Sequence, residues 1–333
     1  MSHRPFTRRA TSAVAGLAVV ALAATGCGGD DADTGGGGGG GGGTGEMTTI
    51  QIGTLPIANA APMYLGMQEG FFEEEGLAVE ETVLQSGNEI ITGMVAGDYD
   101  VGFVGYISAG IAAARNVPVC VLTASDATGT TPEDDWQVMV AAGDSPIQTP
   151  QDFVGKTVSV NALGGVAEVM IKAALDQEGV DWRSVEMIEV PFPEVPAAIQ
   201  AGRIDAGYTS EPFVTTVLDQ GGKVVFAPQS AIAPEYPNGS YATSQQLYQE
   251  DPDLMERFEA AMTRSLEYAR DNPDAIREII PTYTQIPADV ANRMRLPVYQ
   301  PELKVDEIDE QMGFLEEYEI VEEAPSADDL ICG

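Results

Sequence analysis

Glu211 is the residue of this sequence with the clearest potential for binding chemistry. It stands where a predicted strand ends, directly before Pro212 and Phe213. A carboxylate in that position can accept hydrogen bonds from an ammonium group or from an amidine-like donor edge. It can equally begin a helix, because a negative charge is favourable at the positive end of the helix dipole. The residue types leave both interpretations open.

Other loops that follow predicted strands combine small residues with amide side chains. Small residues let a backbone approach a bound molecule closely, and helix starts near Pro62, Asn88 and Gly165 present free backbone amides to an anionic group. A tight turn or a local cap is the alternative for each glycine and asparagine. The candidate binding residues, besides Glu211, are Ala58, Asn59, Ala60, Asn88, Gly105, Tyr106, Asn161, Gly164, Gly165 and Val166.

Aromatic residues near these loops have two interpretations. Their rings could stack on an organic molecule, or they could belong to the core. The candidates are Tyr64, Tyr106, Trp136 and Tyr208.

The composition excludes common catalytic arrangements. The 333 residues contain one histidine, His3, and carry a formal net charge of −36. Removal of the N-terminal segment discussed below would also remove Arg4, Arg8 and Arg9, leaving 13 basic against 52 acidic residues, a balance of −39. Such a chain has no Ser–His or Cys–His pair and no His-ligated metal, and it repels nucleic acid. We expect no catalytic residue, no cofactor and no metal.

The N-terminus predicts export. A basic segment precedes about 12 apolar residues (13–24), which is the length of a signal-peptide core and too short for a membrane span. The following Ala24-Thr25-Gly26-Cys27 resembles a bacterial lipobox, whose cysteine becomes acylated, although Ala24 stands where leucine is usual. Residues 1–27 are therefore predicted to be a lipoprotein signal peptide with its lipobox. The alternative is ordinary cleavage that leaves Cys27 free.

Residues 28–47 predict a flexible tether, because nine consecutive glycines (Gly35–Gly43) bury nothing and fix no backbone angle. The protein would then lie outside the cytoplasm, anchored to the cell membrane by a lipid on Cys27. An exported location permits a disulfide between the other two cysteines, Cys120 and Cys332, or leaves them as free thiols.

An eight-residue pattern occurs twice. Ala96–Phe103 and Ala201–Tyr208 both follow A-G-x-x-D-x-G-aromatic, and each is preceded by an apolar helical patch. In both copies a helix is predicted to end at glycine and to lead into a strand. We interpret the repeat as two similar α/β halves, in which Asp100 and Asp205 serve the turn.

The order of predicted elements gives an α/β fold. Strands at 50–53, 77–83, 101–104 and 117–122 alternate with helices, which predicts a mostly parallel first sheet. Strands at 136–142, 157–160, 185–190 and 223–226 make a second lobe, and a polar loop at 125–135 separates the two sets. Another strand at 239–243 precedes an almost wholly helical tail, for which lobe one is the natural host.

Several stretches, taken in this order, resemble the nitrate/sulfonate/taurine-type (NMT1/THI5-like) substrate-binding proteins of bacterial ABC transporters. They are Ile52-Gly53, Ala61–Leu65, Glu69–Leu77, Met94–Asp100, Gly155–Val158, Ala201–Ala206 and Glu211–Phe213. The resemblance covers about 48–230 well and the tail only in general character.

The resemblance implies a type II periplasmic-binding-protein fold, with two Rossmann-like lobes joined by a two-strand hinge. Lobe one would comprise 48–137 and 238–333 and lobe two 138–237, with the chain crossing between them near 137–143 and 226–238. It also implies a small-molecule solute, a permease and ATPase complex as partners, and a monomer.

The loops favour certain solutes and leave three functions open. No basic residue lies in them apart from Lys156, which precedes its strand, so a zwitterion or a neutral-to-cationic organic molecule fits better than nitrate. A sulfonate- or taurine-like or a pyrimidine-like compound would suit the family. The alternatives to a transporter component are a lipoprotein sensor on the same fold and an enzyme of the pyrimidine-synthase or lyase relatives.

Overall fold

The computed structural model describes residues 47–333. The predicted signal peptide, the acylation of Cys27 and the tether as far as Glu46 lie outside the described residues. From Met47 to Gly333, no helix is both long enough and apolar enough to cross a membrane.

Strands and helices alternate through the first two thirds of the described chain. The strands are β1 (Thr48–Thr54), β2 (Leu77–Val83), β3 (Val101–Gly105), β4 (Val119–Ala127), β5 (Gln137–Ala141), β6 (Thr157–Val160), β7 (Glu186–Glu189), β8 (Ala206–Ser210), β9 (Lys223–Phe226), β10 (Pro237–Ser244) and β11 (Val298–Tyr299).

The helices become dominant after β10. They are α1 (Ala61–Glu69), α2 (Phe71–Glu74), α3 (Gly87–Ala96), α4 (Tyr106–Ala114), α5 (Val166–Gln177), α6 (Val195–Gln200), α7 (Phe213–Asp219), α8 (Pro228–Ile232), α9 (Gln245–Glu250), α10 (Pro252–Asp271), α11 (Pro273–Tyr283), α12 (Ala288–Ala291), α13 (Val305–Glu317) and α14 (Ala327–Leu330). The α/β class and most predicted elements are therefore confirmed, whereas the two-residue strand β11 within the tail was not predicted.

Six strands form the sheet of lobe one, in the order β11-β4-β10-β3-β1-β2. β1 pairs in parallel with β2 and β3, as predicted. β10 then lies between β3 and β4 and is antiparallel to both. The prediction of a mostly parallel sheet was thus wrong at this point, because the strand that returns from lobe two separates two strands of the first set.

Five strands form the sheet of lobe two, in the order β7-β6-β8-β5-β9. β6 pairs in parallel with β7 and β8, whereas β5 pairs antiparallel with β8 and β9. Gln137 already pairs with Ser210. The chain therefore passes between the sheets at 128–136 and 227–236, and the first passage comes earlier than the expected 137–143.

The repeated pattern builds the same junction in both lobes. The backbone N–H of Gln51 donates to Asp100 Oδ2 at 2.8 Å, and the N–H of Asp100 donates back to the Gln51 carbonyl at 2.8 Å. In lobe two, Thr157 and Asp205 exchange the equivalent pair of bonds at 2.9 and 2.8 Å. Each aspartate therefore fixes a helix-to-strand turn beside the neighbouring parallel strand, which is the structural role expected for it.

The helical tail packs mainly on lobe one. α10 lies against α1 and α2, and α13 lies against α4. A disulfide joins Cys120 in β4 to Cys332 near the C-terminus, with the two Cα atoms 5.0 Å apart. Next to it, the Cys332 N–H donates to the Val121 carbonyl at 2.9 Å. The last residues are thus tied to the sheet that hosts the tail.

Candidate functional site

A small cavity of about 50 Å³ lies between the two sheets. Its walls come from residues at or next to the ends of strands in both lobes. Six of the predicted binding residues line it: Asn59, Asn88, Gly105, Asn161, Gly165 and Val166. Strand-end residues predicted in both lobes therefore contribute to the same cavity.

Five predicted residues do not line this cavity: Ala58, Ala60, Tyr106, Gly164 and Glu211. Ala58, Ala60 and Tyr106 are buried in the core of lobe one. The N–H of Gly164 donates to Glu168 Oε2 at 2.7 Å, and Glu168 also forms an ion pair with Lys172 at 2.6 Å. The Gly164 amide, which lies next to the helix start at Gly165 that was expected to face an anionic group, therefore already donates to an internal carboxylate.

The side chain of Glu211 is satisfied inside the protein. Its carboxylate accepts from the N–H of Thr215 at 3.0 Å and from Thr215 Oγ1 at 2.9 Å, in the first turn of α7. It also accepts from the N–H of Arg295, in the tail, at 3.1 Å. Burial raises the pKa of Glu211, and these hydrogen bonds partly offset that increase. The bonds from Thr215 are therefore those of a helix cap, as the alternative interpretation predicted. The bond from Arg295 additionally joins lobe two to the tail.

The predicted stacking residues lie in the core. Tyr64 stacks on Tyr283 with ring centroids 3.9 Å apart. Trp136 is fully buried, and its Nε1 donates to the Ala127 carbonyl at 2.9 Å. Tyr208 donates its hydroxyl to Gln229 Oε1 at 2.5 Å. The aromatic rings at the cavity instead belong to two residues that were not predicted, Phe103 and Phe192.

Further residues at the cavity escaped the sequence analysis, among them Gln137, Asn238 and Gly239. Asp126, which contacts two of the lining side chains, was also missed, because 125–127 was assigned to a polar loop. In the structure Ser125, Asp126 and Ala127 continue β4 and are fully buried. The available signal was the mostly apolar run at 119–124, which Asp126 can extend because its carboxylate finds buried partners.

Asp126 lies at the centre of a buried hydrogen-bond network. Asn59 Nδ2 donates to its Oδ2 at 3.2 Å, and Asn238 Nδ2 donates to its Oδ1 at 2.9 Å. Gln229 Nε2, in the second passage between the sheets, donates to Asn238 Oδ1 at 2.9 Å. Burial raises the pKa of Asp126 to about 7, although the amide donors around it lower it. The network runs from the cavity wall of lobe one to the connection between the lobes.

Two amide oxygens at the cavity have no protein partner. Asn59 Oδ1 and Gln137 Oε1 are both buried and accept no hydrogen bond within residues 47–333. Asn59 belongs to lobe one and Gln137 to the first strand of lobe two. A buried acceptor without a partner is unfavourable, so such atoms call for a donor from a bound molecule or water.

The charge around the cavity is unusual for an anion site. No Lys, Arg or His of the described chain lines it, and the nearest network contains the carboxylate of Asp126. Backbone amides and side-chain amides are therefore its polar groups. The arrangement suits a molecule that brings hydrogen-bond donors of its own.

Contacts across the cavity hold the lobes together. The Ala58 N–H donates to the Glu211 carbonyl at 2.9 Å, and Asn88 Nδ2 donates to the Leu163 carbonyl at 3.4 Å. Outside the cavity, Arg183 of lobe two pairs with Glu319 of the tail at 2.7 Å. These contacts join lobe one and its tail to lobe two.

Comparisons with known proteins agree with this architecture. Residues 57–276 match the model of a protein family described as NMT1/THI5 like. The taurine-binding periplasmic protein of Escherichia coli is 28% identical over 155 residues, which are 46% of this chain and 46% of that protein. The chain thus matches about half the length of this curated relative.

A longer but weaker match is the formylaminopyrimidine-binding protein of Halalkalibacterium halodurans. It is 22% identical over 242 residues, 71% of this chain and 70% of that protein. Among solved structures, the alkanesulfonate-binding protein SsuA from Xanthomonas axonopodis pv. citri, bound to MOPS, superposes with a TM-score of 0.70 and 16% identity, covering 85% of this chain and 96% of that one. The likeness to SsuA establishes the fold as that of periplasmic binding proteins.

Proposed function

We propose, from the premise that this chain belongs to the NMT1/THI5-like family, that it is the extracytoplasmic solute-binding component of an ABC importer. The single observation that carries the proposal is the cavity between the two sheets, to which both lobes contribute strand-end residues. Ligands of open α/β sheets bind beyond the carboxyl ends of the strands, and two lobes that meet there can enclose a solute completely.

Capture follows from movement at the two connections between the sheets. Residues 128–136 and 227–236 are the segments whose backbone angles would change as the lobes separate. In the closed form, the bonds from Ala58 to Glu211 and from Asn88 to Leu163 join the rims of the cavity. A solute that contacts both lobes stabilises this form, which is the one that a permease and ATPase complex would receive.

The solute is a small organic molecule, either sulfonate- or taurine-like or pyrimidine-like. A cavity of about 50 Å³ restricts the solute of this form to a small molecule. The lack of basic residues among those that line the cavity disfavours a bare inorganic anion such as nitrate. The binding residues proposed are those that line the cavity, and Glu211 acts in closure.

We propose that a lipid on Cys27 anchors the protein at the outer face of the cell membrane. The body can then remain close to its permease as a monomer without touching the bilayer. The relative named as periplasmic supports an extracytoplasmic location. Mass spectrometry of the protein extracted from membranes would detect the acylated cysteine, and an unmodified Cys27 would contradict the anchor.

The experiment that tests the function combines two measurements on the mature protein. Native mass spectrometry after gentle purification should detect a co-purified small molecule bound one to one. X-ray scattering should then show a smaller radius of gyration after that molecule is added to the stripped protein. An unchanged radius at saturation would contradict lobe closure, and chemical turnover of the molecule would indicate an enzyme instead.

A further inference from the structure

We infer that Asn59, positioned by Asp126, accepts a hydrogen bond from an N–H group of the solute, so that the protein selects amino, ammonium or amidine compounds over solutes that offer only acceptors. This inference rests on the proposed function, because it concerns the solute of the same cavity. It adds one specificity residue and one positioning residue that the sequence did not identify as a pair.

The orientation of the Asn59 amide follows from its partner. At pH 8 Asp126 is a carboxylate and can only accept, so the Asn59 group that points to it at 3.2 Å is the NH₂ group. Asn59 is 1% exposed and Asp126 is fully buried, and both lie among packed elements of lobe one. The other end of the amide is therefore fixed as an oxygen.

Asn59 Oδ1 is the acceptor that the bond between Asn59 and Asp126 leaves unpaired. Asn59 lines the cavity, and its Oδ1 is buried without any partner among the described residues. A buried acceptor left unpaired is unfavourable, so Asn59 Oδ1 calls for a donor from a bound molecule or from water. Asp126 occupies the NH₂ end of the amide, so we assign the cavity that Asn59 lines as the source of the donor.

A second free acceptor comes from the other lobe. Gln137 also lines the cavity, and its Oε1 has no partner within 47–333. Gln137 lies on β5, whereas Asn59 precedes α1, so the two oxygens belong to different lobes. A solute with two N–H directions, such as an ammonium or an aminopyrimidine edge, would bond to both and favour closure.

The surrounding charge favours the same class. The carboxylate of Asp126 accepts from the amides of Asn59 and Asn238, and no basic side chain lies at the cavity wall. A cationic or neutral donor group is stabilised next to a buried carboxylate, whereas an anion without a donor is repelled. Both the hydrogen-bonding capacity and the electrostatics therefore point to an N–H group near Asn59.

The test uses matched pairs of probes in thermal-shift and calorimetric titrations at pH 8. One pair is taurine and ethanesulfonate, and the other is 4-amino-2-methylpyrimidine and 2-methylpyrimidine, so that each pair differs by one amino group. A wider panel contains nitrate, alkanesulfonates and simple amines. In the wild type we expect the amino member of the pair that binds to be preferred by tenfold or more.

Two variants assign that preference to the residues. Asn59→Ala should reduce the preference to less than about threefold, because the acceptor is removed. Asp126→Asn should also reduce the preference. An amide at 126 can donate to Asn59, so the Asn59 amide can rotate and present its NH₂ group to the cavity. Asn292→Ala, an exposed change after α12, is the control and should keep the wild-type ratio.

The ratio separates a specific role from a structural one, because general damage would weaken both members of a pair equally. Equal affinities within a pair in the wild type, or an unchanged ratio in Asn59→Ala, would overturn the inference while leaving the proposed function intact. Binding restricted to nitrate and alkanesulfonates would do the same. If no compound of the panel binds and no solute co-purifies, the proposed function fails and the inference fails with it.

Discussion

Gly105 of lobe one lies directly against Val166 of lobe two. A Cβ atom added to Gly105 would stand 2.3 Å from Val166 Cγ2 and 3.3 Å from the carbonyl oxygen of Asn238. Both residues line the cavity, so the absence of a side chain at 105 is what allows the two walls to meet. The closed form therefore depends on a glycine at the end of β3.

Gly105→Ala should weaken solute binding without a comparable loss of fold stability. The added methyl group overlaps Val166 only when the lobes are closed, and overpacking of this kind costs ~1–3 kcal/mol. Because the cost falls on the binding-competent state, we expect roughly five- to 100-fold lower affinity by calorimetry.

Two companion variants control this result. Gly313→Ala adds a methyl group with nothing within 4 Å, so it should bind like the wild type. In the double variant Gly105→Ala/Val166→Ala the overlap is removed. Most of the decrease in radius of gyration that X-ray scattering detects on solute binding should then return. A Gly105→Ala protein that closes normally would contradict the argument.

An exposed ion pair between the lobes should stabilise the closed form without stabilising the fold of either lobe. Arg293, which follows α12, makes a two-pronged pair with Asp219 at the end of α7, with Nη2 and Oδ2 2.8 Å apart. This pair lowers the pKa of Asp219. Opening the lobes separates the partners, whereas the fold of each lobe does not need them.

Arg293→Ala is therefore expected to lower solute affinity about two- to fivefold and to leave the urea midpoint almost unchanged. The difference from wild type should disappear near 1 M salt, where the screening length is about 3 Å. Arg270→Ala, whose partner Asp271 is its own neighbour, serves as the control. A salt-independent loss of affinity would rule out an electrostatic role in closure.

The repeated motif shows what a sequence can establish about a fold. Its glycines, its aspartates and the helix before each copy are local features, and the structure places them in equivalent turns. Strand positions were predicted within a few residues for the same reason, because alternation and turn residues are local signals. The cavity followed from these, since parallel strands end at one edge.

Long-range partners could not be predicted. The insertion of β10 between β3 and β4 depends on pairing between segments more than 100 residues apart. The local pattern of 239–243 predicts a strand but not the strands with which it pairs. Asp126 was missed because its acceptability in a buried strand depends on Asn59 and Asn238, which are distant in sequence. For Glu211 the sequence left solute binding and helix initiation open; the local bonds from Thr215 fit helix initiation, whereas the bond from the N–H of Arg295 in the tail could not be predicted.

The repeat also predicts matched effects in the two lobes. A Cβ on Gly102 would lie 2.3 Å from Ile90 Cγ2, and one on Gly207 would lie 2.6 Å from Val195 Cγ1. Gly102→Ala and Gly207→Ala should therefore each destabilise the protein by about 1–3 kcal/mol in urea unfolding. The Gly313→Ala protein provides the reference for a glycine in open space, and equal stability of all three would show that Ile90 of α3 and Val195 of α6 do not pack on these glycines.

The disulfide should stabilise the native state against unfolding. It closes a loop with a sequence separation of 212 residues, and loss of a native disulfide typically costs about 2–5 kcal/mol. Cys120→Ser/Cys332→Ser should unfold at lower urea than the oxidised wild type. Reductant should bring the wild type to the midpoint of the variant and leave the variant unchanged. A wild type that is insensitive to reductant under denaturing conditions would mean that the two thiols are free.

Asp126 should make the stability of the protein fall as pH rises from about 4 to 7. Burial raises its pKa to about 7 from the ordinary 3.8, so in this range the folded protein binds a proton that the unfolded chain has released. The contribution to the slope is about 1.4 kcal/mol for each pH unit. It is absent below pH 4, where both states are protonated, and constant above about pH 7, where both are ionised.

Asp126→Asn removes this titration, so its unfolding free energy should depend less on pH between 4 and 7. The surface carboxylates are common to both proteins and cancel in the difference between them, which isolates the buried group. Urea unfolding at half-unit pH steps measures the difference, and Asp271→Asn, which changes an exposed carboxylate at the end of α10, should leave the slope unchanged. Parallel pH profiles of wild type and Asp126→Asn would mean that Asp126 keeps an ordinary pKa and that the amides of Asn59 and Asn238 fully replace its hydration.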